Sequence, residues 1–363
     1  MTLPPSHVPY TDKYFLRSRD ILVKDGLNPQ VLMRVFIRQG PGKVFGVNEA
    51  VDILKRYAPD PSCLRVMALP EGSEYAPGEP LMHIEGPIQD FIELETMYLG
   101  ALTAATTEYN DKRSVTPGEA AANASMIREL QPDKHLMYFG ARHWHWSMDA
   151  EISKAVVGAG FDSCSTDVGA QAAGLPAGVG TIPHALVLVY AHAHGRERAT
   201  AESVKAFDRH IAPEFPRIAL VDTFNHEIDD ALACARELGD RLAGVRLDTA
   251  GECVGQGGLP FDGRKHVTGK GVTVESARAV RRALDEAGFS NVNIVLSSGF
   301  GERDKLEVFA RDERERGPLY ASLGIGGLFA SRFATADIVR IEGADLAKTG
   351  RGYVDNPRLA RAL

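Results

Sequence analysis

Cysteine, tryptophan and long apolar runs are all scarce in this sequence. Its 363 residues include four cysteines and two tryptophans. The cysteines are scattered and form no CxxC pair, which predicts a reduced protein without disulfides or structural zinc. No apolar run is long enough to span a membrane, and the N-terminus has no apolar core of signal-peptide type. We therefore expect a cytoplasmic protein without a membrane partner. The cysteines are Cys63, Cys164, Cys234 and Cys253.

Basic residues are also in the minority. The formal net charge at pH 7 is −7, so wholesale nucleic-acid binding is not expected. With 44% hydrophobic and 25% charged residues, the composition is that of an ordinary globular protein, and the length suits one large domain or two.

Seven short apolar runs after residue 134 predict strands that are buried on both faces. Such strands are typical of parallel sheets covered by helices. Helical stretches lie between them, for example 147–160 with Ser147 as a candidate N-cap and 273–288 with Thr273. The alternation predicts an α/β barrel. The runs are 135–142, 160–166, 179–187, 217–224, 243–249, 292–299 and 321–329.

The first 114 residues follow another pattern and predict a separate α+β portion. Helices are expected at 47–58 and 90–114, and short strands around 79–87. Residues 335–363 are too few for a domain, so we expect them to pack back on the first one. The glycine-rich loop 251–271 follows a predicted strand, and such a loop is either a functional lid or merely mobile.

Polar and small residues gather where the predicted strands end, which is where parallel α/β enzymes carry their active sites. Backbone N–H groups in the glycine-rich turns there suit a phosphate monoester. Asp222 and Asp248 could hold a sugar diol or Mg²⁺ bound to a pyrophosphate. Taken alone, each glycine turn is also compatible with a simple tight turn, and each aspartate with a helix cap, although two aspartates at strand ends of one barrel argue against caps. The turn residues are Ser298, Gly299, Gly326 and Gly327.

The segment FGARHWHW (139–146) contains both tryptophans, an arginine and two histidines one residue apart. On a strand, His143 and His145 would point to one face, a metal-ligand geometry that would predict a metal-dependent hydrolase. Only His184 among the later runs offers a convincing further ligand. His192 and His194 are expected at the surface. The hydrolase therefore stays an alternative.

Six segments occur in a fixed order along the chain: FGARHWHWSMDAEISKAVVGAGFDSCST, GTIPHALV, PRIALVDTFN, GVRLDT, SSGF and GIGG. Together they resemble the nicotinate phosphoribosyltransferase family, most of all its shorter prokaryotic branch. TDKYFLRS (11–18) and IEGPIQDFIELET (84–96) extend the resemblance to nearly the whole chain.

The resemblance implies the type II phosphoribosyltransferase fold. An N-terminal α/β sandwich domain (1–114), joined by the C-terminal segment (335–363), would accompany an irregular α/β barrel (115–334). It also implies a homodimer, or a higher homo-oligomer, with active sites at the subunit interface. The enzyme would join nicotinate to phosphoribosyl pyrophosphate, with Mg²⁺ and coupled ATP hydrolysis, giving nicotinate mononucleotide for NAD biosynthesis.

The resemblance also implies catalytic roles for single residues. His184 would be the histidine that ATP phosphorylates, since a neutral imidazole is a competent nucleophile. Asp222 and Asp248 would position the ribose hydroxyls and the magnesium pyrophosphate, and would stabilise positive charge growing on the sugar. Ser298, Gly299, Gly326 and Gly327 would form the phosphate cradle.

Other residues would bind the pyridine ring. Phe139 would stack on the ring, and Tyr14 of the partner subunit would close its other face. Arg142 would bind the nicotinate carboxylate or the ribose phosphate. Ser165 stands where nicotinamide-using relatives have an aspartate, which favours an acid substrate. Thr181 is a further substrate-binding candidate.

The sequence departs from the family pattern at His143, where a second arginine is usual. A histidine supplies at best a partial charge at neutral pH, so the sequence leaves open which pyridine acid is preferred and whether ATP is obligatory. The chain also lacks the cysteine-rich C-terminal knuckle of some relatives. Quinolinate phosphoribosyl transfer is the nearest alternative, although two carboxylates should need more cations. A non-catalytic binder of NAD precursors is a further one, against which His184, Asp222 and Asp248 argue together.

Overall fold

Two six-stranded sheets organise residues 2–363, the part of the chain that this computed structural model describes. The strands are β1 (Gln30–Ile37), β2 (Gly42–Lys43), β3 (Arg65–Ala68), β4 (Glu74–Tyr75), β5 (Pro80–Pro87), β6 (His135–Tyr138), β7 (Ser163–Cys164), β8 (Arg217–Leu220), β9 (Leu242–Leu247), β10 (Asn293–Leu296), β11 (Ser322–Ile325), β12 (Ala334–Ile341), β13 (Ala344–Asp345) and β14 (Ala360–Arg361).

Eleven α-helices connect these strands within the same residues. They are α1 (Lys13–Lys24), α2 (Val47–Tyr57), α3 (Glu95–Asp111), α4 (Pro117–Leu130), α5 (Asp149–Gly158), α6 (Asp167–Ala172), α7 (His184–His194), α8 (Arg196–His210), α9 (Glu227–Leu238), α10 (Val274–Glu286) and α11 (Arg303–Arg316). None of the helices among residues 2–363 is both long and apolar enough to cross a membrane.

The first sheet brings the two ends of the chain together. Its order is β13-β12-β1-β5-β3-β14, and every pairing in it is antiparallel. β12 pairs with β1 along nearly its whole length, and the short β14 pairs with β3. Residues 334–361 thus complete a sheet that the first hundred residues begin. The domain boundaries at 114 and 334 remain a prediction.

The second sheet is parallel throughout, in the order β7-β6-β11-β10-β9-β8. Six of the seven apolar runs form its strands, as predicted, because their side chains are buried beneath helices on one face and among core residues on the other. The strands β7 and β8 are the two edges of this sheet and do not pair with each other. The barrel therefore has a gap between them, which makes it irregular.

The predicted strand at 179–187 is wrong, and this segment lies in that gap. Residues 179–183 are irregular, and α7 begins at His184 directly after Pro183. The apolar run continues through Tyr190 and Ala191, and both are buried in the core of the first sheet. A helix that is apolar on all sides has no amphipathic period, so pattern alone does not separate it from a buried strand.

The helix caps give one confirmation and one correction. Thr273 caps α10, since its Oγ1 accepts from the Ser276 N–H while the Ser276 hydroxyl accepts from the Thr273 N–H. Ser147 does not cap α5. The ring of His145 accepts from the Ser147 N–H at 3.3 Å and caps a short 3₁₀ turn instead, so α5 starts at Asp149.

The glycine-rich loop 251–271 contains no helix or strand, but side chains fasten it to the barrel. The Glu227 carboxylate of α9 accepts from the Gln256 N–H at 2.8 Å, and Gln256 Oε1 accepts from the Ile228 N–H at 2.9 Å. Gly251 and Glu252, at its start, line the cavity described next.

Candidate active site

A cavity of about 1140 Å³ opens at the carboxyl ends of the parallel strands and is closed from the other side by α1, α3 and β12. Most of the predicted site residues line it, whereas Asp222, Thr181 and Ser165 lie behind its walls. Those that line it are Tyr14, Phe139, Arg142, His143, His184, Asp248, Ser298, Gly299, Gly326 and Gly327.

One end of the cavity holds His184 in a buried group of charges. The His184 Nε2 atom lies 3.1 Å from Asp222 Oδ2, and Lys348 Nζ donates to the same oxygen at 2.5 Å. Lys348 Nζ also lies 2.8 Å from His184 Nε2 and donates to the Asp248 carbonyl oxygen at 3.0 Å. The side chain of Asp222 is fully buried, and that of Lys348 is 6% exposed. The geometry makes Asp222 the group that orients the imidazole.

The electrostatics of Asp222 follow from its two neighbours. Burial alone would raise the pKa of this carboxyl. The charges of Lys348 and His184, with their hydrogen bonds, outweigh burial and hold the pKa well below its ordinary value. The pair of cations thus favours the ionised form of Asp222.

The other end of the cavity is built around Arg142. Its Nη1 donates to the Tyr14 hydroxyl oxygen and, at 3.2 Å, to Glu95 Oε1. Its Nε is buried and has no hydrogen-bond partner among residues 2–363. The resemblance implies a tyrosine from a partner subunit, but here the Tyr14 of the same chain lies beside Arg142. A buried, unused guanidinium donor suits an incoming anion.

The aromatic ring of Phe139 is placed by the strand before it and the glycine opposite. The Phe139 N–H donates to the Ile325 carbonyl oxygen at 2.8 Å, which continues the pairing of β6 with β11. A Cβ added at Gly324 would come within 2.4 Å of the Phe139 ring. Only glycine at 324 leaves room for this ring orientation.

His143 contributes no charge to the cavity. Its ring stacks on Phe333, with centroids 4.0 Å apart and planes 16° apart. Loss of solvation and the neighbouring Arg142 charge lower the pKa of His143 to about 3. The neutral ring also packs against Gly326, where an added Cβ would lie 2.6 Å from Nε2.

The metal-site interpretation of His143 and His145 is wrong. His143 ends one 3₁₀ turn and His145 is the N-cap residue of the next, so neither lies on a strand and their rings face different partners. His145 Nε2 is 3.0 Å from Glu49 Oε1, which also accepts from the Trp146 indole at 2.9 Å. Among residues 2–363, no group of possible metal ligands includes either histidine.

Two glycine turns face each other where β10 and β11 end. Ser298 and Gly299 have φ of 70° and 77°, in the left-handed region, which is uncommon for serine. An added Cβ at Gly301 would lie 1.9 Å from the Gly327 carbonyl oxygen, whereas one at Gly327 would meet nothing. The turns are therefore close-packed on one side and open on the other.

The three predicted residues outside the cavity wall are buried. Asp222 lies behind His184. Thr181 accepts a hydrogen bond from Arg246 Nη1 at 2.8 Å through its hydroxyl oxygen. The Ser165 carbonyl oxygen accepts from the Lys13 N–H at 2.8 Å, next to Tyr14. Thr181 and Ser165 thus support residues that reach the cavity.

Sequence reasoning missed four charged residues at this site. Lys305 is buried beneath the first glycine turn, where its Nζ donates to the Ser298 carbonyl oxygen at 2.8 Å and burial lowers its pKa to about 8. Arg246 is buried with an unpartnered Nε. It lies inside the GVRLDT segment, where an arginine in a buried strand was an available signal. Lys348 and Glu95 come from distant segments without such a signal.

Comparisons with known proteins agree with this architecture. Residues 12–106 match the family described as the N-terminal domain of quinolinate phosphoribosyl transferase. The nicotinate phosphoribosyltransferase of Bacillus subtilis is 24% identical over 342 residues, covering 84% of this chain and 61% of that protein. Nicotinate phosphoribosyltransferase pncB1 of Mycobacterium tuberculosis is 26% identical and covers 96% of this chain and 75% of that protein. The chain thus spans less than two thirds of the Bacillus relative.

A solved structure from Saccharomyces cerevisiae, described as a nicotinate phosphoribosyltransferase, superposes with a TM-score of 0.71 at 15% identity. The match covers 96% of this chain and 94% of that one. The shared fold confirms the predicted class, an irregular α/β barrel with an N-terminal α/β sandwich.

Proposed function

We propose that this chain, which belongs to the nicotinate phosphoribosyltransferase family of type II phosphoribosyltransferases, joins nicotinate to phosphoribosyl pyrophosphate in NAD biosynthesis. The observation that carries the proposal is a single cavity whose side chains and turns suit the different parts of the substrates. It is lined by an aromatic ring, an arginine with an unused donor, a histidine oriented by Asp222, and two open glycine turns.

The Arg142 end suits nicotinate. Phe139 offers a face for the flat pyridine ring, and Tyr14 lines the same cavity beside Arg142. The free Nε of Arg142 would donate to the ring carboxylate. This binding would orient the ring nitrogen toward the sugar carbon that it attacks, while the aromatic walls exclude water.

The glycine turns suit the 5-phosphate of phosphoribosyl pyrophosphate. Gly299, Gly326 and Gly327 line the cavity, and Lys305 Nζ donates to the Ser298 carbonyl oxygen beside them. Backbone N–H groups of such turns, with a lysine behind them, would bind a phosphate monoester. The left-handed backbone conformation of Ser298 keeps this turn open.

Asp248 is the acid that remains available for magnesium. Both oxygens of Asp222 already face His184, and one also binds Lys348. The Asp248 side chain is 27% exposed and its carboxylate oxygen is 3.8 Å from Arg246 Nη2. Asp248 fits a Mg²⁺ carried by the pyrophosphate, which would neutralise the leaving group. The proposal thus gives different roles to Asp222 and Asp248, which the resemblance treats as a pair with one role.

His184 suits phosphorylation by ATP. When its Nε2–H donates to Asp222, the lone pair on Nδ1 is free to attack the γ-phosphorus, and ADP leaves. His184 is also the first residue of α7, where unpaired N–H groups and the helix dipole favour a phosphoryl group. Hydrolysis of the phosphohistidine would then couple ATP to the transfer.

The test is an assay of pure protein with nicotinate, phosphoribosyl pyrophosphate and Mg²⁺, with and without ATP. We expect nicotinate mononucleotide, formed faster with ATP. His184→Asn should lose the ATP-dependent increase, because asparagine cannot be phosphorylated. His192→Asn is the matched control, since His192 is exposed on the same helix. No mononucleotide under any condition rejects the function, and ATP stimulation that survives in His184→Asn rejects the histidine's role.

Quinolinate is the second candidate substrate, because the matched N-terminal family is the quinolinate one. Its extra carboxylate would need a second free cation. Besides Arg142, the cavity-lining arginines whose Nε makes no hydrogen bond among residues 2–363 are Arg246 and Arg351, and the Nε of Arg351 lies 2.9 Å from Asp337 Oδ2. Competition between the two acids in the same assay separates these candidates. Product formation from quinolinate, with release of carbon dioxide, would favour the second.

A further inference from the structure

Glu95 occupies an unusual position at the ring-binding end of the cavity. It is the first residue of α3 and lines the cavity, yet its side chain is only 8% exposed. The contact of Oε1 with Arg142 Nη1, at 3.2 Å, is the one hydrogen bond that its carboxyl group makes among residues 2–363. Among residues 2–363, the cation that acts on Glu95 is Arg142, the same one that an anionic substrate would need.

The charges around Glu95 do not balance if every acid is ionised. Asp12, fully buried before α1, also faces Arg142, and its Oδ2 accepts from the Thr96 hydroxyl at 3.2 Å. Tyr14 from α1 and Tyr98 from α3 add no positive charge. Asp337 on β12 is near Glu95 but pairs with Arg351 at 2.9 Å. Arg246 Nη2 lies 3.8 Å from Asp248 Oδ2, so these two charges offset each other. Two buried acids therefore share one guanidinium.

We propose that Glu95 determines specificity for the acid substrate by carrying a proton when nicotinate binds, which leaves the charge of Arg142 for the nicotinate carboxylate. The inference rests on the proposed function and deepens it. Burial raises the pKa of Glu95 to about 8, against the opposing charge of Arg142. Below that pH the neutral carboxyl accepts from Arg142 without cancelling its charge, and its own O–H can donate.

The pH dependence follows from the direction of this shift. Glu95 is protonated below about pH 8 and ionised above it, where it neutralises Arg142 and repels a second carboxylate. Nicotinate remains an anion across the neutral and alkaline range. Its affinity should therefore be flat below the pKa of Glu95 and fall about tenfold per pH unit above it. Near pH 9, binding should take up a proton from solution.

The experiment is calorimetric titration of the full chain with nicotinate between pH 6.5 and 9.5, in two buffers of different ionisation enthalpy. The wild type should show alkaline weakening and proton uptake. Glu95→Gln, which copies the protonated state, should bind with nearly constant affinity and no proton uptake. Glu93→Gln is the matched control, because Glu93 is two residues from Glu95 but pairs with His7 and Arg19 instead of Arg142. This variant should behave as the wild type. Nicotinamide, which is neutral, should bind without the alkaline weakening.

The outcomes separate this inference from the proposed function. Nicotinate binding that is flat from pH 6.5 to 9.5, or alkaline weakening that persists in Glu95→Gln, overturns the role of Glu95 while leaving the function intact. If no nicotinate binds at any pH and no mononucleotide forms, the proposed function fails and the inference falls with it. Equal alkaline weakening for nicotinamide would also overturn the inference, because it would show a pH effect unrelated to substrate charge.

Discussion

The two ends of the cavity contain the same kinds of side chain in opposite proportions. At the His184 end, one buried carboxylate, Asp222, faces Lys348 and the histidine. At the ring end, two buried acids, Asp12 and Glu95, share the single cation Arg142. Burial acts on the acids at both ends. The pKa of Asp222 is lowered, whereas that of Glu95 is raised to about 8, so the ratio of cations to carboxylates decides the direction.

The difference suits the different tasks of the two ends. Asp222 and Lys348 form a balanced pair that is complete before any substrate arrives, so they can hold His184 in one orientation. The Arg142 end is left with an unused donor and an acid that can take a proton, so it can accept a new negative charge at little electrostatic cost. One end is organised to position a nucleophile and the other to receive a ligand.

The largest expected effect comes from removing the charge of Lys348 at the His184 end of the cavity, where Lys348 balances the buried Asp222. Lys348→Met should lower the free energy of unfolding by about 3–5 kcal/mol, because it leaves the buried Asp222 with the histidine as its only partner. It should also lower turnover, since the imidazole loses its fixed surroundings. Urea denaturation at pH 7 and initial rates with nicotinate check both effects.

A double variant provides the control for this prediction. Lys348→Met with Asp222→Asn removes both charges, so it should be more stable than the sum of the two single changes predicts. Lys205→Met is a matched surface change, because Lys205 pairs with Glu202 and Glu237 at 33% exposure, and it should cost less than about 1 kcal/mol. Strict additivity would contradict the view of Lys348 and Asp222 as one coupled pair.

A smaller effect is expected on the pH dependence of stability at the ring end. Folded Glu95 keeps its proton up to about pH 8, whereas the unfolded chain releases it near pH 4.3. The unfolded state therefore binds fewer protons between these values, and the contribution of Glu95 to stability should fall as pH rises, by roughly 3.5 kcal/mol from pH 5 to 8. Glu95→Gln should lack this contribution.

The measurement is urea denaturation of the wild type and Glu95→Gln at pH 5, 7 and 9. Asp149 and Asp230, whose pKa values burial raises to about 6, titrate equally in both proteins and cancel in the difference. The stability gap should widen in favour of Glu95→Gln with rising pH. A constant gap would mean that Glu95 is ionised in the folded protein throughout.

The same two ends show what a sequence can and cannot predict here. The strands after which Arg142, Asp222 and Asp248 follow were predictable, because β-branched apolar runs of strand length are typical of buried parallel strands. His184 was identified from its motif, but it was predicted on a strand and lies on α7, because a helix that is apolar on all sides has the same pattern as a buried strand. Lys348 was not predictable: it reaches His184 across 164 residues of sequence, and only the pairing of β12 with β1 brings it there.

Glu95 was missed for a related reason. A glutamate at the start of a helix is favourable to the helix dipole and is usually solvated, so nothing local indicates burial. Its protonation depends on Asp12, which lies 83 positions earlier in the sequence, and on Arg142 beyond a second element. Proton-binding properties of this kind arise from tertiary contacts between segments that have no common sequence pattern.

The smallest expected effect concerns His143, at the position where the resemblance implies an arginine. Because loss of solvation and the Arg142 charge lower the pKa of His143 to about 3, its ring is neutral at both physiological and mildly acidic pH and contributes shape rather than charge. His143→Asn loses the stacking on Phe333, so the KM for nicotinate should rise by less than about tenfold, which corresponds to about 1.4 kcal/mol. Its pH profile between pH 5 and 7 should match that of the wild type. A change confined to that pH range would show that His143 is protonated when substrate binds, and that the ring end receives its charge from two residues instead of one.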